Sequence, residues 1–192
     1  MTTFAEVEKV AALLGDLPCE WYVCGGWAVD LFLGRVTRAH KDVDVSIPRA
    51  SQLEAREYML RRGWKLEKAH DGRLTPWGEG EFLSPPFHTV WCRSDAHEPD
   101  FVEFQLDEID AERFAFRRDT ALTLPRGRMS FKTETGVPVL APELVLLYKS
   151  SAAEEYADDF RNAAPALGRE ARAWLKGALA RIYARHAWAE EL

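Results

Sequence analysis

The chain has 192 residues, 47% of them hydrophobic and 29% charged, and carries a net charge of −6. That length allows one sizeable core, or a catalytic domain with a small helical appendage. The acidic balance argues against binding along a nucleic-acid backbone, which needs clustered cations, and suits a small or cationic acceptor better.

Phe4 to Leu14 has apolar residues at helical spacing (Phe4, Val7, Val10, Ala11, Leu14) closed by Gly15, which predicts an amphipathic helix. It lacks the basic and long apolar regions of a signal peptide, and no run reaches the length of a membrane span, so a cytoplasmic protein is expected. The three cysteines, Cys19, Cys24 and Cys92, have no metal-ligand spacing. Trp21 to Cys24 reads as a first strand that ends at Gly25-Gly26, with a helix-like segment from Trp27 to Leu33 behind it. A basic turn, Arg35 to Lys41, leads into a second strand carrying Asp42 and Asp44. In a strand, residues i and i+2 share a face, so both carboxylates project together while Val43 and Val45 point inward.

Ser51 is the expected N-cap of a helix over Gln52–Arg62, followed by a short strand at Trp64–Lys68 and a turn at Asp71-Gly72. Between Thr75 and Pro99 periodicity does not decide between short strands and a substrate-lining loop; Trp77, Phe87 and Trp91 are candidates to shape an acceptor pocket, and Glu79, Glu81 and Asp95 would suit a cationic acceptor. Phe101 to Leu106 is a clearer strand, with Val102, Phe104 and Leu106 on one face and Phe101, Glu103 and Gln105 on the other. Extended segments with turns are expected over Phe114–Val139. Helices follow at Glu143–Ala153, where Pro142 opens the first turn, at Asp158–Leu167 and at Arg169–Ala187. The pattern predicts an α/β (α+β) fold: a mixed β-sheet flanked by helices, with a helical C-terminal part. Residues 1–140 would be the catalytic domain and 141–192 a helical region packed on it.

The chemistry concentrates between Gly25 and Asp44. Two carboxylates on one rigid strand repel unless a cation neutralises them, and magnesium held by carboxylates also grips substrate phosphates. Asp42 and Asp44 are therefore the expected metal ligands, in a site that can hold two ions about 3.5–4 Å apart. A third carboxylate, as metal ligand and general base, should come from a neighbouring strand. Glu103 is the candidate, with Asp100 and Asp107 as rivals near the strand ends. Gly25 and Gly26 let the backbone approach a phosphate, and the helix behind them aims its N–H groups at that anion. Arg38 and His40 could meet the triphosphate or play a structural part, such as pairing with Asp30; Lys149 could contact phosphate or extend to solvent. Arg117-Arg118-Asp119 has no derivable role.

Gly25-Gly26 followed by Asp42-Val43-Asp44-Val45 resembles the GG…DhDh signature (h apolar) of the DNA polymerase β-like nucleotidyltransferase superfamily. The fuller string GGWAVDLFLGRVTRAHKDVDV is similar to small antibiotic nucleotidyltransferases, the aminoglycoside 2''-O- and lincosamide enzymes, through GGWxxDxxxGRxTRxHxDxD. The resemblance extends through GVPVLAPELVLLYKSSAAEEYADDFRNAAPAL and is loosest between about Lys65 and Pro99. It implies the nucleotidyltransferase fold and a magnesium-dependent transfer of a nucleoside monophosphate, AMP from ATP, to a hydroxyl of an antibiotic-like small molecule, with pyrophosphate released. The oligomeric state stays open, with a homodimer among the options, since small relatives often use a partner subunit to close the acceptor site. Relatives often carry a Lys-Asp pair where this chain has Glu155-Tyr156. The competing readings are a toxin-like transferase acting on tRNA or protein, which predicts a basic stripe near the site, and a catalytically silent nucleotide-binding module.

Overall fold

The computed structural model describes residues 3–192. Helix α1 (Ala5–Leu13) buries Val7 and Val10, as its spacing predicts. Strand β1 (Tyr22–Val23) is short, and the Cys24 N–H extends its pairing by donating to the Asp44 carbonyl at 2.9 Å. Helix α2 (Gly25–Leu33) starts at the glycine pair itself, two residues earlier than the expected Trp27. Gly25 adopts φ +63, which turns the chain sharply from strand into helix. At the other end Gly34 caps the helix in the left-handed conformation.

Strand β2 (Asp44–Pro48) begins at Asp44, so Asp42 lies just ahead of the strand rather than in it. Helix α3 (Gln52–Arg61) follows, and the Ser51 side chain makes no capping bond to it. Strands β3 (Lys65–His70) and β4 (Arg73–Pro76) form a hairpin about Asp71-Gly72. The undecided segment holds the end of β4 and all of β5 (Thr89–Arg93), with a loop between them. Strand β6 runs Phe101–Ile109, three residues past the expected end. Strands β7 (Arg113–Ala115), β8 (Thr123–Pro125), β9 (Ser130–Lys132) and β10 (Pro138–Leu140) complete the extended part. The C-terminal helices are α4 (Pro142–Lys149), α5 (Ala157–Ala163), α6 (Arg169–Ile182) and α7 (Ala187–Glu191). The long helix expected to Ala187 breaks after Ile182, where Tyr183 turns extended.

The sheet is mixed, ordered β4-β3-β5-β6-β2-β1-β10-β9, with β7 and β8 extending from β6. β2 runs parallel to β6, and β1 to β10; the other pairs are antiparallel. On β6 the alternation holds: Val102, Phe104 and Leu106 are fully buried beside Val45, Ile47 and Val90, whereas Phe101, Glu103 and Gln105 face the other way, half-buried. Each such apolar side chain contributes about 1.5–3 kcal/mol on burial. Helix α2 packs against α4 and α5, and α4 against α6. The core cluster runs without a break from Val7 on α1 to Trp188 on α7. Among the described residues no helix is long and apolar enough to cross a membrane.

Candidate active site

The parallel pairing of β2 and β6 sets Asp44 directly beside Glu103, Ser46 beside Gln105 and Pro48 beside Asp107. The pleat then puts Asp44, Ser46, Glu103, Gln105 and Asp107 on one face. All but the fully buried Ser46 edge a cleft of about 350 Å³ whose other wall is Gly25, Leu140, Val145, Tyr148, Lys149 and Tyr156. Burial, and then the charge of Asp42, pushes Asp44 up to about 6. Burial, and then Asp44 and Asp42, pushes Glu103 up to about 7. Asp44 and Glu103 are thus held up first by burial and then by neighbouring negative charge.

Among the described residues none of Asp42, Asp44 and Glu103 takes part in an ion pair. Nor is any group of three or more His, Cys, Asp or Glu side chains there drawn into closed metal-holding geometry. Unpaired, mutually repelling hard oxygen donors fit magnesium, which keeps waters and substrate phosphates in its shell and needs no all-protein cage.

Gly25 lies against Asp44: a Cβ there would overlap the Asp44 carboxylate. At Gly26 a Cβ would stand 2.5 Å from His40 Nδ1 and 2.6 Å from an Arg38 Nη. The pair is therefore required by close packing around the acidic strand, whatever it binds. His40 Nε2 is 2.6 Å from the buried Asp30 carboxylate, which also accepts from the Thr37 hydroxyl, and its ring lies 4.3 Å from that of Trp27. That is the structural pairing with Asp30. Arg38 turns instead to Asp159, donating from Nε at 3.0 Å and Nη2 at 3.1 Å. Lys149 does not extend to solvent; it is buried, 2.9 Å from the same Asp159, and 3.9 Å from the centre of the Tyr156 ring. Burial alone would raise Asp159, but Arg38 and Lys149 overcome it and hold the carboxyl below its ordinary value.

Sequence reasoning missed the network beneath the cleft. Asp107 accepts from Ser46 Oγ at 2.6 Å and from Tyr148 OH at 2.7 Å, with Arg117 at 3.6 Å. Gln105 donates to Glu103 at 2.6 Å and accepts from Arg117 at 3.2 Å. The alternation of β6 carried the signal for Gln105 and Asp107. Arg117, from the turn after β7, carried none. Asp100 is exposed. Of the three aromatic candidates, Trp91 pairs with Glu103 across β5 and β6 and shares its face. Trp77 is buried against Arg56 of α3, and Phe87 packs with His70 and Lys68 on the opposite side. Glu81 is paired with Lys68, and Asp95 with Lys65 at 2.8 Å.

Residues 6–74 match the model of the family described as aminoglycoside-2''-adenylyltransferase. A 2''-aminoglycoside nucleotidyltransferase of Escherichia coli is 34% identical over 94 residues, which are 48% of this chain and 51% of that protein. The chain thus matches about half the length of this curated relative. Among solved structures, ANT(2")-Ia in complex with adenylyl-2"-tobramycin aligns with a TM-score of 0.63 over 94% of this chain and 100% of that one, at 18% identity. The lincomycin-bound lincosamide antibiotic adenylyltransferase LnuA aligns with a TM-score of 0.59 over 85% and 97%, at 15% identity. The chain has the nucleotidyltransferase fold, and its first third, with both glycines and both aspartates of the motif, is similar in sequence to the aminoglycoside-2''-adenylyltransferase family.

Proposed function

We propose that this chain is a magnesium-dependent nucleotidyltransferase that moves AMP from ATP to a hydroxyl of a small, antibiotic-like molecule of the aminoglycoside or lincosamide kind. The observation that carries the reading is the register of Asp44 against Glu103, one residue from Asp42 by face and in contact with Gly25. Magnesium bound by Asp42, Asp44 and Glu103 would supply charge neutralisation at the phosphates. Gly25 and the N-terminus of α2 receive the phosphates with backbone N–H groups. Lys149 and Arg38, both fixed by Asp159, add positive charge beside them, with His40 holding the Arg38 turn to α2 through Asp30. Glu103, on the face beside Asp44 and held by Gln105, takes the proton of the acceptor hydroxyl. The acceptor oxygen bonds the α-phosphorus, the bond to the bridging oxygen breaks, and pyrophosphate leaves.

The reading includes a catalytic unit in residues 1–140 with residues 141–192 packed on it, a cytoplasmic setting, and a homodimer. The homodimer rests on the resemblance alone; a monomeric mass by light scattering would rule it out. One observation favours a tRNA acceptor instead: Arg117, Arg118 and Arg181 line a depression adjoining the cleft. Pyrophosphate release from each of the four ribonucleoside triphosphates, against aminoglycosides, lincosamides and bulk tRNA, separates the two. Asp42→Ala and Asp44→Ala serve as controls. Acceptor-dependent release with an antibiotic and loss in both controls is expected. Release with tRNA alone supports the toxin-like reading, and full activity in Asp44→Ala defeats the metal assignment. Nucleotide binding without any release favours a silent module.

A further inference from the structure

In-line displacement places the attacking and leaving oxygens on opposite sides of the phosphorus. The walls of the cleft beside Asp44 and Glu103 come from Gly25, Leu140, Val145, Tyr148 and Lys149, with Arg117 and Arg118 of the turn after β7 at its far end. No residue of β3 or β5 lines it, so the sheet beyond Glu103 in that direction stands outside the cleft. With the nucleotide there, the acceptor must approach Glu103 from the other side, over β5 and β3.

Trp91 is the first residue met in that direction. It is the direct antiparallel partner of Glu103, which places their Cβ atoms about 4.5–5.5 Å apart on one face. Its ring is half-buried and meets Phe101 edge-on at 5.4 Å. Next on the same face, Glu67 is held by Arg93 at 3.4 Å and Lys65 by Asp95 at 2.8 Å. The Arg93 guanidinium lies 4.6 Å from the centre of the Trp91 ring. Each acid here already has its base, so beyond the catalytic carboxylates this face offers no surplus negative charge.

We propose that Trp91 is the acceptor platform and that the acceptor is a hydroxyl-bearing ring of low net charge rather than a polycation, seated with its apolar face on the indole and its hydroxyl at Glu103. The inference rests on the nucleotidyl-transfer reading. An aromatic face gives a ring apolar contact without desolvating its outward hydroxyls, whereas a polyamine would find Glu67 and Asp95 already held by Arg93 and Lys65.

The test is steady-state pyrophosphate release with magnesium and ATP for the wild type, Trp91→Phe and Trp91→Ala. Acceptors are low-charge ring compounds, lincomycin among them, and polyamine aminoglycosides such as tobramycin. Affinity for a non-hydrolysable ATP analogue is measured separately by calorimetry. Trp91→Ala should raise the KM of the low-charge acceptor about tenfold, with Trp91→Phe restoring most of it and nucleotide affinity unchanged. The wild type should prefer the low-charge acceptor by about tenfold or more in kcat/KM. An unchanged acceptor KM in Trp91→Ala, a preference for tobramycin, or nucleotide binding with no low-charge ring accepted overturns this proposal while leaving the nucleotide site standing. Absence of nucleotide binding overturns both.

Discussion

Asp44 and Glu103 are held where carboxylates resist ionising, and that has a consequence for stability. Their folded values, about 6 and about 7, lie above the ordinary carboxylate values of 3.8 and 4.5. Between those limits the folded chain binds more protons than the unfolded one, so these groups stabilise it fully below pH 4 and lose that contribution as pH rises through 7. Metal-free protein should therefore melt at lower temperature at pH 8 than at pH 5.5 on their account, and Asp44→Asn should flatten the trend. At pH 8 that variant should gain roughly 1–2 kcal/mol, or about 3–5 °C, while losing turnover. Thermal scans in a chelator at both pH values check it; a variant no more stable than wild type at pH 8 counts against strain at this residue. His88 acts in the opposite sense. Burial, then Arg117 and Arg49, lowers it to about 4 from 6.5, so acid below pH 6.5 costs stability through it, and His88→Gln isolates that part. Two glycines give a second contrast. Gly34→Ala meets nothing within 4 Å and should lose about 1 kcal/mol from its positive φ alone, with activity kept. Gly25→Ala adds a collision with Asp44, so nucleotide binding should vanish as well, as titration with a non-hydrolysable analogue would reveal.

At the scale of elements, Asp159 on α5 binds the turn before β2 through Arg38 and helix α4 through Lys149. One buried carboxylate thus holds two cations from separate elements near the cleft. Asp159→Asn leaves both without their partner, and breaking a buried pair in this way typically costs about 3–5 kcal/mol. A lowered melting temperature together with a raised nucleotide KM is expected; a lowered melting temperature alone would limit Asp159 to a structural part. The Arg38 arm of this clamp was invisible in the sequence because its partners stand 121 residues apart and no local period links them. The local part was legible. Alternation on β6 separated Val102, Phe104 and Leu106 from Glu103, whereas the i, i+2 expectation placed Asp42 in a strand that begins only at Asp44. The early start of α2 was missed because glycine is a poor helix former, and close approach to Asp44 and His40 outweighs that propensity here. Trp91 could not be told from Trp77 and Phe87, since only the pairing of β5 with β6 decides which aromatic shares the Glu103 face.

For the whole molecule the question is whether the C-terminal helices form a unit of their own. Helix α4 buries Leu144, Val145, Leu146 and Leu147 at no more than 3% exposure, against α2 on one side and α6 on another. Leu140 and Val139, on the strand just before it, are equally buried beside β1. Cutting the chain after Leu140 would remove α4 and uncover Val139, Leu140, Ala28 and Val29. At about 1.5–3 kcal/mol for each large apolar side chain, the loss is comparable with the ~5–15 kcal/mol that stabilises an ordinary domain. Residues 1–140 should therefore fail to fold alone, and the full chain should melt in a single calorimetric transition with equal calorimetric and van't Hoff enthalpies. Two resolved transitions, or a soluble folded 1–140 fragment, would instead make the helical region an independent domain. Magnesium with ATP should raise that single transition by mass action, because the cleft is walled by β2 and β6 on one side and α4 on the other. Asp44→Asn should abolish the rise, tying the cooperativity of the fold to the occupancy of its acidic strand.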